Sequence, residues 1–168
     1  KAKAAGVTNT DLALARTIYP MIASALHETT FVVLPDDLGA LVPDAVNVLR
    51  EHLTDYDALL VGCGFGRDPK TIEFVHKLLN VIGNKAKPRT RPTSPLGIAS
   101  VQSFGFANAP LRTRLAMTLP SLVIDADALF ALAQSGEWWK NLAPNTAILT
   151  PHPGEMATLT GLPRNDVQ

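Results

Sequence analysis

Three short stretches hold side chains whose types and spacing suit chemistry. The first is LTPHPGEMATLTG, residues 149–161, where His152 and Glu155 stand three positions apart among Pro151, Pro153 and Gly154. Prolines on both sides of His152 restrict its backbone and reduce the entropy left to lose when the imidazole is ordered. Glu155 falls in the first turn of an expected helix, where its charge complements the helix dipole. The corner reads either as a rigid ligand-binding elbow or as a pre-organised helix start carrying an exposed histidine. Zinc is a poor fit, because no second histidine or cysteine stands at ligand spacing.

The second stretch is GCGFGRDP, residues 62–69, with Gly62, Gly64 and Gly66 alternating. Glycine lets a ligand approach the main chain without meeting a Cβ. Free N–H groups at a following helix start favour an anion or a polar ligand. The spacing matches neither the dinucleotide fingerprint nor the P-loop, and a plain strand-to-helix turn explains it equally well. The third is VIDADAL, residues 123–129, with Asp125 and Asp127 two positions apart. On an extended backbone both carboxylates point the same way and suit a cation or hydroxyls. Asp127 alternatively caps the helix it begins, while Asp125 is placed on the floor of a cleft.

These stretches need elements to position them. Apolar runs DLALA (11–15), TFVVLP (30–35), ALLVGC (58–63), SLVIDAD (121–127) and TAILTP (146–151) read as strands. Helical periodicity follows from Ile18 to Leu26 with Thr17 as cap, from about Pro43 to Leu53, and after Asp68 and Pro69 with a stripe of Ile72, Val75, Leu79 and Ile82. A short helix then runs through Leu132, and another from about Pro153 to Leu159 with Gly161 as its C-terminal cap. Continuous apolar strands alternating with helices predict an α/β fold with a mainly parallel sheet covered on both faces. Right-handed crossovers bring the ends GCGFG, DAD and TPHPGE to one edge, where open α/β sheets bind ligands. Residues 83–110 break the alternation and read as a surface excursion or lid.

Composition bounds the partners. Fifteen basic residues balance fifteen acidic ones over 168 residues, with no basic stripe, so neither nucleic acid nor an anionic membrane is expected. A single cysteine, Cys63, forms no internal disulfide and suits a reducing compartment. No apolar run is long enough to span a bilayer and the start lacks a signal-peptide pattern, so a cytoplasmic location is expected. Trp138 and Trp139 read as packing, and His27, His52 and His76 as structural or solvated.

Taken together, DALLVGCGFGRDP, VIDADAL and LTPHPGEMATLTG, with LARTIYPMIASALHETTFVVLP upstream, resemble the ADP- or ATP-dependent NAD(P)H-hydrate dehydratases. These are carbohydrate-kinase-like repair enzymes of the ribokinase-like, three-layer α/β/α fold. The resemblance implies that a nucleotide's terminal phosphate activates the ring hydroxyl of hydrated NADH or NADPH, and that phosphate then leaves to restore the reduced cofactor. By the same resemblance Gly64 and His152 contact the substrate, with Gly62 and Asp125 beside them. Glu155 corresponds to the acid of an N-x-x-E motif that organises Mg2+ through water. His152 takes the asparagine place of that motif, which favours a dehydratase over a kinase of hydroxymethylpyrimidine, pyridoxal or a sugar.

Cys63 and Phe65 depart from the proline and leucine of the family's glycine turn. The opening strand and glycine loop, a lysine-glycine nucleotide segment and a G-T-G-D turn with the catalytic aspartate are not found. Residues 1–168 are therefore expected to be the central part of one ribokinase-like domain, with the catalytic aspartate beyond Gln168. A non-catalytic binding module is the alternative if the chain ends there. The resemblance also implies a homo-oligomer, possibly a tetramer.

Overall fold

A computed structural model describes residues 10–83, 120–142 and 144–167. From residue 84 onward the excursion expected over 83–110 lies outside the described residues. Strand β1 (Asp11–Ala15) leads through α1 (Tyr19–Ala25) to β2 (Thr30–Leu34), which pairs with it in parallel. A hairpin of two short strands, β3 (Asp36–Asp37) and β4 (Ala40–Leu41), precedes α2 (Ala45–His52). Then come β5 (Ala58–Val61), α3 (Pro69–Gly83), β6 (Ser121–Ile124), α4 (Ala126–Gln134), β7 (Ala147–Leu149) and α5 (Pro153–Thr160). Strands β5, β6 and β7 form a parallel sheet in that order, Val61 opposite Ile124 and Ile124 opposite Leu149. The α/β architecture and each expected strand are thus borne out.

Side-chain alternation decides which face of the sheet is filled. Val61, Leu122 and Ile124 point into a core with Phe74, Val75, Leu78, Leu79 and Ile82 of α3 and Leu129 and Leu132 of α4. The intervening register row, Leu60 opposite Val123 and Val123 opposite Ile148, lies on the other face. Leu60 and Ile148 there remain 62% and 63% exposed, so the described residues cover one face of the sheet. The helix α3 buries more than its predicted stripe, since Phe74 and Leu78 are also fully enclosed while Ile72 is half-buried. Leu34, Leu41, Val46, Leu49 and Leu53 extend the same core toward the first strand pair.

Two local expectations are corrected. Thr17 does not cap α1; Ile18 is the N-cap residue and makes no side-chain cap. Thr17 instead donates its amide and hydroxyl to Asp36, at 3.1 and 2.6 Å, and the Gly39 amide joins them at 2.8 Å. The Thr17 hydroxyl, helped by these amides, holds the Asp36 carboxyl below its ordinary value of 3.8, against the opposing effect of burial. A bond donated to the Asp36 carboxylate is charge-assisted and stronger than the neutral bond the hydroxyl would accept as a cap. The helical spacing of Ile18, Met21, Ile22 and Ala25 predicts a buried apolar face for α1, but none of its residues is buried and Met21 is 66% exposed.

Candidate functional site

Parallel register places the carboxyl ends of β5, β6 and β7 side by side. The ladder continues one residue past each strand: Asp125 N–H donates to Val61 C=O at 3.0 Å and Thr150 N–H to Ile124 C=O at 3.2 Å. Adjacent strands lie about 4.8 Å apart, so the three departures span roughly 10 Å. The glycine turn, the aspartate pair and the proline-histidine corner therefore occupy one edge, as their sequence order required.

The glycine turn folds around the aspartates. Gly62 has φ +123°, and a Cβ there would lie 1.9 Å from the Asp125 carbonyl oxygen and 2.7 Å from Ala128 Cβ. Its bare Cα lets the start of α4 pack directly on the turn. Gly64, at φ +75°, has open space around a Cβ position, so its side faces outward. Gly66 N–H donates to Asp127 Oδ2 at 2.9 Å. Cys63 Sγ is 3.8 Å from Asp125 Oδ2, and burial followed by the Asp125 charge raises its thiol above the ordinary 9.0.

The aspartates do not lie on one extended run as the spacing suggested. Asp125 is extended and serves as N-cap residue of α4, Ala126 turns left-handed at φ +49°, and Asp127 is already helical. Neither carboxylate caps α4, since no side-chain cap bond forms. The capping role expected of Asp127 is corrected: the left-handed turn swings its carboxylate out to the Gly66 amide. Both acids nevertheless face the same glycine turn.

At the third strand end the three-residue spacing of His152 and Glu155 acquires a physical cause. His152 is the N-cap residue of α5: its Nδ1 accepts the Gly154 N–H at 3.0 Å, and Glu155 Oε2 accepts the His152 N–H at 2.9 Å. This is a capping box with an imidazole in the place of a hydroxyl. Gly154 is required beneath the ring, because a Cβ there would stand 2.8 Å from His152 Cε1. A neutral imidazole whose Nδ1 accepts carries its proton on Nε2. That nitrogen lies 3.5 Å from Glu155 Oε1, and the side chain is 65% exposed. The cap thus orients the ring and sets its Nε2 beside Glu155 Oε1, while the side chain as a whole stays exposed. Of the two readings of this corner, the helix start is the one the geometry shows.

Arg67, to which sequence reasoning gave no role, ends the glycine turn. Its Nε is 3.7 Å from Asp127 Oδ1 and its guanidinium lies 4.4 Å from the Phe130 ring centroid. A cation placed directly after a glycine turn was the available signal. Lys70, farther along α3, is ion-paired with Asp37, whose hydrogen bond and charge raise its pKa. A separate groove of about 860 Å³ runs beside α5, lined by Trp138, Trp139, Met156 and Leu159. None of the predicted site residues lines it, though Leu149, Pro151 and Met156 bring it alongside them.

Among the described residues no cluster of three histidine, cysteine or acidic groups could hold a metal ion. Glu155 commits Oε2 to the cap. These residues alone do not make a complete magnesium site. No helix of the described residues is long and apolar enough to cross a membrane.

Residues 106–168 match the Carb_kinase family model, described as NAD(P)H-hydrate dehydratase. The chain is 31% identical over 165 residues to the bifunctional NAD(P)H-hydrate repair enzyme Nnr of Moorella thermoacetica, covering 98% of this chain and 24% of the relative. It is 30% identical over 147 residues to the enzyme of the same name from Salinibacter ruber, covering 86% of this chain and 20% of that one. The chain therefore spans a quarter or less of the length of these curated relatives. The resemblance read from the three strand ends is borne out.

Proposed function

With similarity to the NAD(P)H-hydrate dehydratases as the premise, we propose that this chain supplies part of the substrate site of an enzyme that dehydrates hydrated NADH or NADPH. A phosphoryl group from ADP or ATP passes to the ring hydroxyl. The phosphate ester then loses inorganic phosphate and a ring proton, restoring the reduced nicotinamide. Phosphoryl transfer depends on positioning and on charge stabilisation more than on covalent help from the protein. Positioning is what the described residues offer.

The observation that carries the reading is the His152 imidazole. It is fixed by the α5 cap, yet exposed, and stands at the edge that also holds the glycine turn. Its Nε2–H donates to a polar group of the hydrated ring, while the open side of Gly64 admits the ring to the main chain. Gly62 acts one step back, by letting the turn close on α4, and Asp125 lines the floor beside Cys63. Glu155 holds the corner and would approach Mg2+ only through water. Magnesium, when bound with the nucleotide, supplies charge neutralisation at the transferred phosphate. The base that takes the hydroxyl proton is not assigned to any described residue. We place the enzyme in the cytoplasm as a homo-oligomer.

The test is recovery of the reduced-nicotinamide absorbance when the full-length protein is incubated with hydrated NADH, Mg2+ and ADP or ATP. Recovery with one nucleotide supports the reading. No recovery with either overturns it, and a stable phosphorylated product without elimination would identify a kinase instead.

A further inference from the structure

The three strand ends carry an excess of negative charge. Residues 62–68, 125–127 and 150–155 include the acids Asp68, Asp125, Asp127 and Glu155, but Arg67 is their one lysine or arginine. A dinucleotide bears two negative charges on its pyrophosphate, and among these residues that guanidinium is the fixed cation that attracts them. Arg67 is also held in a definite place. Asp127 lies against its Nε and the Phe130 ring lies beneath its plane, while Asp127 itself receives the Gly66 amide. The guanidinium is thereby tied to the glycine turn. Its side chain is nonetheless 67% exposed, so the two outer nitrogens keep donors for a ligand. A planar, always-charged fork stacked on an aromatic ring suits bidentate recognition of phosphate oxygens.

We propose that Arg67 is a specificity-determining residue that grips a phosphate of the substrate dinucleotide and so sets which end of the molecule lies outward from the glycine turn. The identity of the dinucleotide rests on the dehydratase reading; the phosphate contact itself does not. Two sources share this chemistry, the pyrophosphate common to both hydrates and the 2′-phosphate of the NADPH form.

The experiment compares the full-length protein with R67Q and R67K by calorimetric binding of ADP-ribose and of ADP-ribose 2′-phosphate, and by steady-state kinetics on NADH hydrate and NADPH hydrate. R67Q is expected to weaken binding of ADP-ribose 2′-phosphate about 10- to 100-fold, the loss of a charge-assisted pair, and to weaken ADP-ribose equally where the pyrophosphate is the contact. R67K loses less, keeping the charge without the fork. KM for the hydrates rises while kcat holds. An equal rise on both hydrates assigns the pyrophosphate, and a larger rise on NADPH hydrate assigns the 2′-phosphate. The proposal is overturned if wild type binds neither ADP-ribose nor ADP-ribose 2′-phosphate, if R67Q binds both within twofold of wild type, or if only the KM for ADP or ATP changes. Arginine-dependent binding of ADP-ribose without turnover of either hydrate would leave this contact standing and remove the dehydratase reading.

Discussion

Replacing Gly62 by alanine tests the joint between the glycine turn and α4. The added Cβ would lie 1.9 Å from the Asp125 carbonyl oxygen, 2.7 Å from Ala128 Cβ and 3.0 Å from Ala128 N. Two of these neighbours are backbone atoms and cannot step aside as a flexible side chain would. Overpacking of this kind costs about 1–3 kcal/mol. The φ of +123° adds a backbone penalty of about 1–3 kcal/mol for a residue with a Cβ. Together they give a central expectation of about 4 kcal/mol, or a fall of roughly 8–16 °C in unfolding midpoint for a domain of this size. Gly64→Ala is the internal control. Its φ of +75° carries a cost of about 1–2 kcal/mol, and its Cβ would meet nothing within 4 Å. Thermal unfolding followed by circular dichroism therefore ranks Gly62→Ala well below Gly64→Ala in stability. Substrate affinity is expected to show the larger defect in Gly64→Ala. Equal melting losses in the two variants would refute the close approach of α4 to the turn, and with it the shared edge.

His152 separates capping from recognition. His152→Ala removes the acceptor for the Gly154 amide and is expected to cost about 1 kcal/mol, read by denaturant unfolding, whereas His152→Asn restores a cap acceptor and holds stability within about 0.5 kcal/mol. Both variants are expected to lose hydrate affinity, and retention of full affinity by His152→Asn would remove the imidazole from the substrate site. Cys63 is exposed but held protonated by its surroundings, so iodoacetamide labelling at pH 7 should be slower than that of a free thiol, with its pH midpoint displaced above 9.0. Asp125→Asn removes the second-largest cause of that shift and should move the midpoint down toward 9.0; an unchanged midpoint would show that the carboxylate does not face the sulfur.

Much of this arrangement is legible in the chain because its strands are short apolar runs ended by punctuation. Gly62, Asp125 and Thr150 each follow a short apolar run, and the alternation with helices puts all three departures at one edge. What the sequence concealed are contacts between side chains and distant backbone. Thr17 looks like a helix cap in its own neighbourhood, yet Asp36, nineteen positions on, offers it a charged acceptor. Asp127 has the position of a cap, but the left-handed Ala126 redirects it to an amide sixty-one residues earlier. The β3–β4 hairpin escaped because two-residue strands carry no period to read. His152 was recognised as unusual but not as a cap, since imidazole is rarely the acceptor that closes a capping box.

The backbone of Ala126 has a consequence for engineering. A methyl-bearing residue in that conformation stores tension of about 1 kcal/mol that glycine would relieve. Ala126→Gly is the kind of substitution a search for thermal robustness would find. It would also loosen the hinge that sets the angle between two acids on either side of it, so hardiness gained there would come with blurred aim.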